Sequence, residues 1–421
     1  MTKHICIFAA ALYMTKQKYF FLILILGSLI ALSPFSIDMY LPGFPVIADD
    51  LHTTVEDVTL SLSSYFIGLA FGQLIYGPLL DKFGRKKPLY VGLSIYLVAS
   101  VGCMLSGSIN MLIGMRFIQA IGGCAAGVAS IALVRDLFPV SESAKVFALL
   151  MLVLGTSPMI APTVGSAVVK HLGWHYVFVI LAGIAVLIFM AVVFFLPDKY
   201  VPDDKLSLKP VPIIKGFWSV FTVPQFFIYA LSGAVSFAGL FTYVAGSPIV
   251  FMKIYHVSTS AYGWIFAGLS VGFIGSSQIN NLLIKRFKSE QIVPVVFVCQ
   301  FIFGGIFLLA SVMHLLNLPG TLVMIFLTLC CAGISSPNTS ALSIAPFSKN
   351  AGTASSLMGA LQLGIGSVAT MGIGAFKSIS TIPLAAIMAG CGLGACLIYF
   401  IGMAALKQPI KAADGGGVSI H

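Results

Sequence analysis

Asp38 is the residue of this sequence best suited to chemistry, because it is a carboxylate placed in an apolar segment. It is one of 13 acidic residues among 421, and it follows the apolar stretch FFLILILGSLIALS at 20–33. A carboxylate in a bilayer costs roughly 2.5–3.5 kcal/mol on insertion scales, so such residues usually mark a functional site. A buried acid can take up and release a proton, which indicates proton coupling across a membrane.

Arg116 is the natural counterpart of Asp38, since it is the only lysine or arginine that lies more than a turn inside a predicted span. It lies in the segment LIGMRFIQAIGG (112–123), about 9 Å from the outer end of that span at 1.5 Å per residue. Asp38 has a similar depth, and two opposite charges in neighbouring apolar helices are expected to pair at least transiently. Because burial and a nearby arginine change an aspartate pKa in opposite directions, movement of this pair could toggle the proton. A static salt bridge is the alternative.

A third candidate is the short polar loop GPLLDKFGRKK at 77–87. Its two glycines permit a tight turn, and its single acid is free to meet the positive N-terminus of another helix. The natural acceptor is the start of the span at 351–376, so the contact would act as a conformational latch. The alternative is that the basic residues only set topology. The predicted latch consists of Gly77, Asp81, Gly84, Arg85 and Lys86.

The elements that must position these residues are membrane helices. Hydrophobic residues make up 59% of the chain and charged residues 9%, whereas soluble domains carry about 25% charged residues. Apolar stretches of roughly 20 residues recur along the whole length, as membrane spans require. The predicted spans, about twelve by this criterion, are 19–43, 58–80, 88–107, 109–134, 143–169, 174–196, 224–251, 260–284, 291–313, 319–343, 351–376 and 380–404.

The net charge of +10 follows membrane topology and does not indicate a nucleic-acid surface. With the N-terminus in the cytoplasm, most lysines and arginines fall in the tails and in the loops of one side, and only Lys170, Lys253 and Lys377 fall on the other. A bias of this kind places the basic side in the cytoplasm. We therefore predict a multi-pass protein of the bacterial inner membrane with both termini cytoplasmic. Its partners would be the lipid bilayer and protons, without nucleic acid.

One long polar interruption divides the chain into two similar halves. Tyr40 and Pro45 of the first half align with Tyr243 and Pro248 of the second, which indicates a weak internal repeat. Glycine steps such as 68/72, 123/127 and 268/272 would let helices approach closely. The predicted organisation is a cytoplasmic tail (1–18), a six-helix bundle (19–196), a cytoplasmic linker (197–223), a second six-helix bundle (224–404) and a cytoplasmic tail (405–421).

Two of these segments resemble motifs of the major facilitator superfamily. The loop 77–87 resembles that family's signature Gly-x-Leu-x-Asp-Arg-x-Gly-Arg-Lys/Arg, with Lys82 in the first arginine position. The segment 112–123 resembles its Arg-x-x-Gln-Gly helix, with Ala120 where glycine is usual. The resemblance implies an all-α membrane fold of twelve helices in two pseudo-symmetric six-helix bundles, a substrate site between the halves, alternating access, and function as a monomer.

A narrower resemblance is to the Bcr/CflA branch of the drug:proton antiporters. It rests on the loop together with the segments 37–45, 241–250, 335–347 and 351–362, and covers about 15–405. It implies export of small amphipathic drugs or toxic compounds by proton antiport. In such exporters the fifth helix carries a glycine–proline antiporter motif, and an ordinary proline-kinked helix is the alternative here. The residues that match this motif are Gly155, Pro158, Pro162 and Gly165.

The two halves differ in charge, because the spans of the second half contain no acidic or basic residue. The first half would then handle the proton, and the second would offer an apolar wall with a few amides, which suits an amphipathic ligand. The predicted cavity residues are Tyr40, Gln119, Phe241, Tyr243, Asn338 and Gln362; simple packing is the alternative for the aromatic ones.

Other functions remain open at this stage. A proton-coupled importer or a metabolite exporter would use the same fold, and the sequence does not give the direction of transport or the substrate. A membrane enzyme or haem protein is disfavoured, because the spans lack paired histidines. The eight cysteines have no metal-ligand spacing, so we expect neither metal nor cofactor.

Overall fold

The computed structural model describes residues 16–197, 208–347, 351–376 and 380–406, and every regular element in these ranges is helical. A short 3₁₀ turn covers Leu41–Gly43 and a π-helical turn covers Ile249–Ile254. The α-helices are α1 (Lys16–Asp38), α2 (Phe44–Asp50), α3 (Val55–Phe83), α4 (Lys86–Met104), α5 (Ile109–Leu137), α6 (Val140–Leu172), α7 (His175–Phe195), α8 (Pro210–Phe221), α9 (Pro224–Pro248), α10 (Thr259–Leu283), α11 (Ser289–Val312), α12 (Leu318–Ile344), α13 (Ala351–Ala375) and α14 (Ile382–Ala405).

Within the described ranges, eleven helical segments are long and apolar enough to cross a membrane. The remaining predicted span is α10, which has 25 residues but is less hydrophobic because it carries serine, asparagine and glutamine side chains. The protein is thus a multi-pass membrane protein. The predicted tails lie mostly outside the described residues, as do Lys3, Lys377 and residues 198–207 of the central linker.

The first predicted span, 19–43, differs from the structure at its end. Helix α1 stops at Asp38, and the chain then makes the 3₁₀ turn before α2 begins. The segment YLPGFP causes this break, because Pro42 and Pro45 lack the N–H groups that would continue the helix. Asp38 is therefore the last residue of a helix, beside an irregular stretch of backbone.

The long helices form two groups that follow the order of the chain. In the first group α5 packs against α1, α3 and α4, and in the second α9 packs against α12, α13 and α14. The groups meet along two helix pairs, α3 with α13 and α6 with α10. The predicted architecture of two six-helix bundles is confirmed.

Two sides of the molecule are distinguished below by the loops at the helix ends. The basic side contains the loops around 84, 139, 286 and 346 together with α8, and the outer side contains the loops around 52, 106, 173, 256 and 315. Several helices begin at the outer side with a side-chain cap, as when the Oγ1 atom of Thr54 accepts from the Asp57 amide at 3.1 Å. The Asn317 side chain accepts from the Gly320 amide at 2.9 Å in the same way.

The glycine steps do not all serve helix contacts. A Cβ atom at Gly68 would lie 2.5 Å from the carbonyl oxygen of Phe117, so this glycine lets α3 and α5 touch. Gly72 and Gly272 are similarly close to Cys124 and Phe326. By contrast, Gly127 and Gly268 have no heavy atom within 4 Å of a Cβ, so the prediction of close contact is wrong there.

This difference predicts opposite outcomes for two alanine substitutions. Gly68→Ala forces a methyl group into the α5 backbone and should lower the melting temperature of the purified protein. Gly127→Ala meets open space and should be neutral, or stabilising by up to about 1 kcal/mol through helix propensity. Thermal unfolding in detergent measures both variants, and an equal decrease in melting temperature for the two would contradict the packing at Gly68.

Candidate functional site

The guanidinium of Arg116 is fully buried and is held by aromatic rings and neutral acceptors. Its Cζ atom lies 4.1 Å from the ring centroid of Tyr65 and 4.7 Å from that of Tyr40. One terminal nitrogen donates to Gln119 Oε1 at 2.7 Å, and the other donates to the Ser36 carbonyl oxygen at 3.1 Å. The last carbonyls of a helix lack partners and carry partial negative charge, so Arg116 stabilises the end of α1.

A chain of hydrogen bonds supports this position from the first half. Gln119 Nε2 donates to Ser100 Oγ at 2.8 Å, and Ser36 Oγ shares a 2.6 Å hydrogen bond with Tyr96 Oη. Tyr40, below the guanidinium, shares a 2.8 Å bond with Ser61 Oγ. The predicted residues Arg116, Gln119 and Tyr40 are therefore brought together. Among the described residues, the Nε atom of Arg116 and the hydroxyl of Tyr65 are buried without a hydrogen-bond partner.

Asp38 is buried at 5% exposure, but it faces away from this cluster. Residues 36 and 38 are two positions apart, so their side chains point about 200° apart around a helix of 3.6 residues per turn. Tyr243 and Tyr262 of the second half lie within electrostatic reach of the carboxylate. Among the described residues the hydroxyl of Tyr243 has no hydrogen-bond partner, and that of Tyr262 shares a 2.7 Å hydrogen bond with Ser247 Oγ.

Asp38 and Arg116 form no ion pair in this conformation. Among the described residues, the guanidinium meets no carboxylate within 4.0 Å, and its charge is balanced by aromatic faces, an amide and a carbonyl. Sequence reasoning placed the two residues at similar depth but could not give the rotation of α1. The pairing therefore stays a prediction for another conformation.

The glycine–proline helix α6 fixes the backbone next to Asp38. A side chain at Gly165 would collide with the carbonyl of Met39, the residue that follows Asp38. At Gly155 a Cβ would lie 3.4 Å from Ile274 of the second half, which is ordinary contact. Pro158 and Pro162 both lie within one continuous helix. The part of the motif nearest the acid thus has a direct structural role.

The loop motif forms a charge cluster on the basic side. Arg85 donates from one terminal nitrogen to Asp81 Oδ1 at 2.7 Å and from Nε to Asp136 Oδ2 at 2.6 Å. Gly84 has a φ of 82°, a backbone conformation that favours glycine, and Lys86 begins α4. Sequence reasoning missed Asp136, although its position beside Arg135 at the end of a span was a usable signal.

A cavity of about 540 Å³ lies between this cluster and the second half. Its walls come from α3, α5, α8 and α13, and they include Asp81 on one side and Gly352, Thr353 and Ser356 on the other. A Cβ at Gly77 would lie 3.3 Å from Ser356 Oγ, so α3 and α13 approach closely here. Asp81 and its predicted acceptor thus line the same cavity.

The remaining predicted cavity residues separate into two regions. Phe241 packs against Phe66 of the first half with ring centroids 4.5 Å apart, and Gln362 is half-buried one turn before Gly366, which abuts Phe241. Asn338 instead donates to Asn280 Oδ1 at 2.7 Å and accepts from Ser289 Oγ at 2.8 Å. It lies near the basic side of the second half, where its amide is satisfied.

Three polar contacts between the halves lie toward the outer side. Lys253 Nζ pairs with Glu56 Oε1 at 3.2 Å, joining the π-helical turn to α3. Farther in, Ser63 Oγ and Thr370 Oγ1 share a 2.7 Å hydrogen bond. Ser166 Oγ also donates to the Thr259 carbonyl at 2.8 Å across the α6–α10 pair. The outer side is therefore closed, whereas the cavity lies on the basic side.

Two helical bundles that meet along a seam, with buried lone charges beside that seam, define a membrane transporter. The family model described as Major Facilitator Superfamily matches residues 26–371, and the chain belongs to that superfamily. Two solved structures share the fold at low identity. They are a bacterial homolog of the human lysosomal transporter Spinster, inward-facing and occupied (TM-score 0.71, 15% identity, covering 93% of this chain and 98% of that one), and a D-xylose–proton symporter (TM-score 0.69, 14%, 90% and 97%).

Relatives of similar length carry names that refer to drug resistance. The chain is 31% identical over 388 residues to the bicyclomycin resistance protein homolog of Haemophilus influenzae, covering 92% of this chain and 97% of the relative. It is 30% identical over 368 residues to the multidrug resistance protein MdtL of Shigella flexneri, covering 85% and 90%. The resemblance to drug exporters seen in the sequence is confirmed.

The two glycines of α6 provide a test of the local structure around Asp38. Gly165→Ala should abolish transport, because the added methyl group displaces the backbone of Met39 and moves the neighbouring carboxylate. Gly155→Ala is the matched control on the same helix and should retain most activity. Transport by equal amounts of purified protein in vesicles measures both, and an active Gly165→Ala variant would contradict this arrangement.

Proposed function

We propose that this protein exports small amphipathic compounds from bacteria in exchange for protons. The observation that carries the proposal is Asp38, a buried carboxylate at the seam between the halves with no ion pair among the described residues. The drug-resistance names of relatives that cover nearly the whole chain support export of this substrate class.

In this proposal Asp38 carries the proton and Arg116 modulates it. In the outer-closed conformation the carboxylate lies within electrostatic reach of Tyr243 and Tyr262, so part of its proposed surroundings comes from the opposite half. When the halves rock apart on the outer side, that part moves away and water reaches the acid. Its proton affinity then changes with conformation, because burial favours the neutral form. A change in the rotation of α1 would also bring it toward Arg116.

The gates are proposed to lie at opposite sides of the seam. The Glu56–Lys253 pair would hold the outer side closed, and the latch of Gly77, Asp81, Gly84, Arg85 and Lys86 would hold the basic side closed after the halves rock. In the conformation described, Asp81 lines a cavity whose other wall is the start of α13, its proposed acceptor. The basic side would face the cytoplasm, as the distribution of lysine and arginine favours.

The substrate would bind between the halves, near the aromatic contact of Phe66 and Phe241. Rings on the second half and the amide of Gln362 suit a ligand that is mainly apolar with few polar groups. The bundles proposed at 19–196 and 224–404 would move as units, and one chain would suffice for transport. An importer or a metabolite exporter on this fold is the second candidate; counterflow in vesicles with an imposed pH gradient separates them by direction.

The proton role of Asp38 gives a direct prediction. One proton driven by 100 mV supplies about 2.3 kcal/mol, enough for a substrate gradient of roughly 50-fold. Asp38→Asn keeps the shape of the side chain but removes its charge. The ratio of substrate concentrations across the membrane should therefore fall to about one, the equilibrium value without a driving force. Fluorescent substrate accumulation in inverted vesicles measures this.

Asp49→Asn is the matched control, because Asp49 is an exposed acid on the outer side. It should leave the gradient unchanged. Full gradient-driven transport by Asp38→Asn would exclude this residue as the proton carrier. Arg116→Gln should alter the pH dependence of transport, and an unchanged profile would show that the two charges do not interact at any stage.

The two gates predict shifts in opposite directions. Breaking Glu56–Lys253 with Glu56→Gln should favour the outward-open form by roughly 5- to 150-fold, between the values for an exposed and a buried ion pair. Asp81→Asn should favour the inward-open form by about 2- to 30-fold. Labelling of single cysteines on each side of the seam measures the populations. The charge exchange Glu56→Lys with Lys253→Glu should restore the wild-type ratio of outward-open to inward-open protein. If neither Glu56→Gln nor Asp81→Asn changes this ratio, the two proposed gates are excluded.

A further inference from the structure

The helix α8, which connects the two halves in the sequence, has a stripe of apolar side chains that no other part of the described chain covers. Val211, Ile214 and Trp218 are 61%, 64% and 64% exposed. Their spacing of three and four residues places them on one face of the helix. Exposed apolar stripes of this kind mark a surface that contacts lipid or another molecule.

A second face of α8 is fixed to the bundle. Ile213, Gly216 and Phe217 line the cavity beside the loop motif, and Val220 is fully buried. At about 100° per residue the centre of this docked face is roughly 140°, or two-fifths of a turn, from the centre of the exposed stripe. The stripe therefore points largely away from the cavity that the docked face lines.

An apolar groove continues from the stripe to the membrane-facing helices. It has a volume of about 480 Å³ and is lined by Trp218, Phe221, Phe227, Ile228, Gly402 and Leu406. Phe227 and the nearby Ile401 are exposed on α9 and α14, so the groove runs into the lipid-facing surface of two spans. A chain of methylene groups fits such a lining, because it presents few polar groups to it.

The third face of α8 carries positive charge. Lys215 is exposed, and the sequence from 208 to 248 contains no acidic residue. A tryptophan at the level of the headgroups and lysines beside it are typical of a helix that lies in the membrane interface. Each lysine near an anionic leaflet contributes a factor of about five in lipid affinity.

From these contacts we propose that α8 is an interfacial helix whose groove holds an acyl chain of an anionic phospholipid from the leaflet on the basic side. The apolar stripe lies in the hydrocarbon boundary, the groove takes the chain, and Lys215 contacts the phosphate. This inference is independent of the transported substrate.

Tryptophan fluorescence of the full chain tests the position of α8. The protein has three tryptophans, of which Trp174 is buried and Trp264 is removed by Trp264→Phe. Comparing this variant with the Trp218→Phe, Trp264→Phe chain isolates the signal of Trp218. Lipids with brominated acyl chains should quench that signal and aqueous iodide should not. Quenching by iodide but not by brominated lipid would overturn the proposal.

Charge and occupancy need two further comparisons. Brominated phosphatidylglycerol should associate more tightly than brominated phosphatidylcholine at Trp218, and Lys215→Gln should reduce that ratio by up to about fivefold. An unchanged ratio would overturn the headgroup contact. A chain ending at Leu406 should be quenched as the full chain is. If brominated lipid reaches Trp218 only after this truncation, the C-terminal tail occupies the groove and the lipid proposal is wrong.

Discussion

The buried charge of Arg116 constrains the first half more than any other interaction described here. A guanidinium in an apolar bundle is stable only when its hydrogen bonds and charge are compensated, and here two aromatic faces, an amide and the Ser36 carbonyl provide this. Because the carbonyl belongs to the last turn of α1, the arginine also stabilises the helix end that Pro42 and Pro45 impose. The next residues turn through Leu41–Gly43, and Asp38 before this turn lies within electrostatic reach of Tyr243 and Tyr262 of the opposite half.

The two sides of the molecule use different interactions, and this suits a structure with two stable arrangements. On the outer side, an ion pair and two hydrogen bonds connect residues of opposite halves. On the basic side, the shortest charged contacts lie within the first half, where Arg85 joins Asp81 to Asp136. Contacts within one half persist while the halves rock, whereas contacts across the seam must break. In the proposed alternating access, the free energy of the outer links would thus oppose that of the latch on the basic side.

Sequence reasoning predicted the spans, the family and the loop motif, because hydropathy and short polar motifs are local properties. It placed Asp38 and Arg116 correctly as buried charges but expected a pair, since depth along a helix can be read from sequence and rotation about its axis cannot. The early end of α1 was readable in Pro42 and Pro45, yet the apolar run concealed it. The ion pair of Asp136 with Arg85 and the hydrogen bonds of Asn338 with Asn280 and Ser289 depend on which helices are neighbours. One sequence does not specify that.

In the proposed function, the arrangement around Asp38 would couple the proton site to a gate without direct contact between them. Helix α6 touches the backbone of Met39 through Gly165, and the same helix packs along α10 of the second half. The carboxylate therefore sits where one half supplies its backbone support and the other supplies its wall. Any opening of the α6–α10 seam must change the wall while leaving the support intact. A neutral acid tolerates the closed wall, and a charged acid favours its removal, so protonation and closure stabilise each other through burial alone.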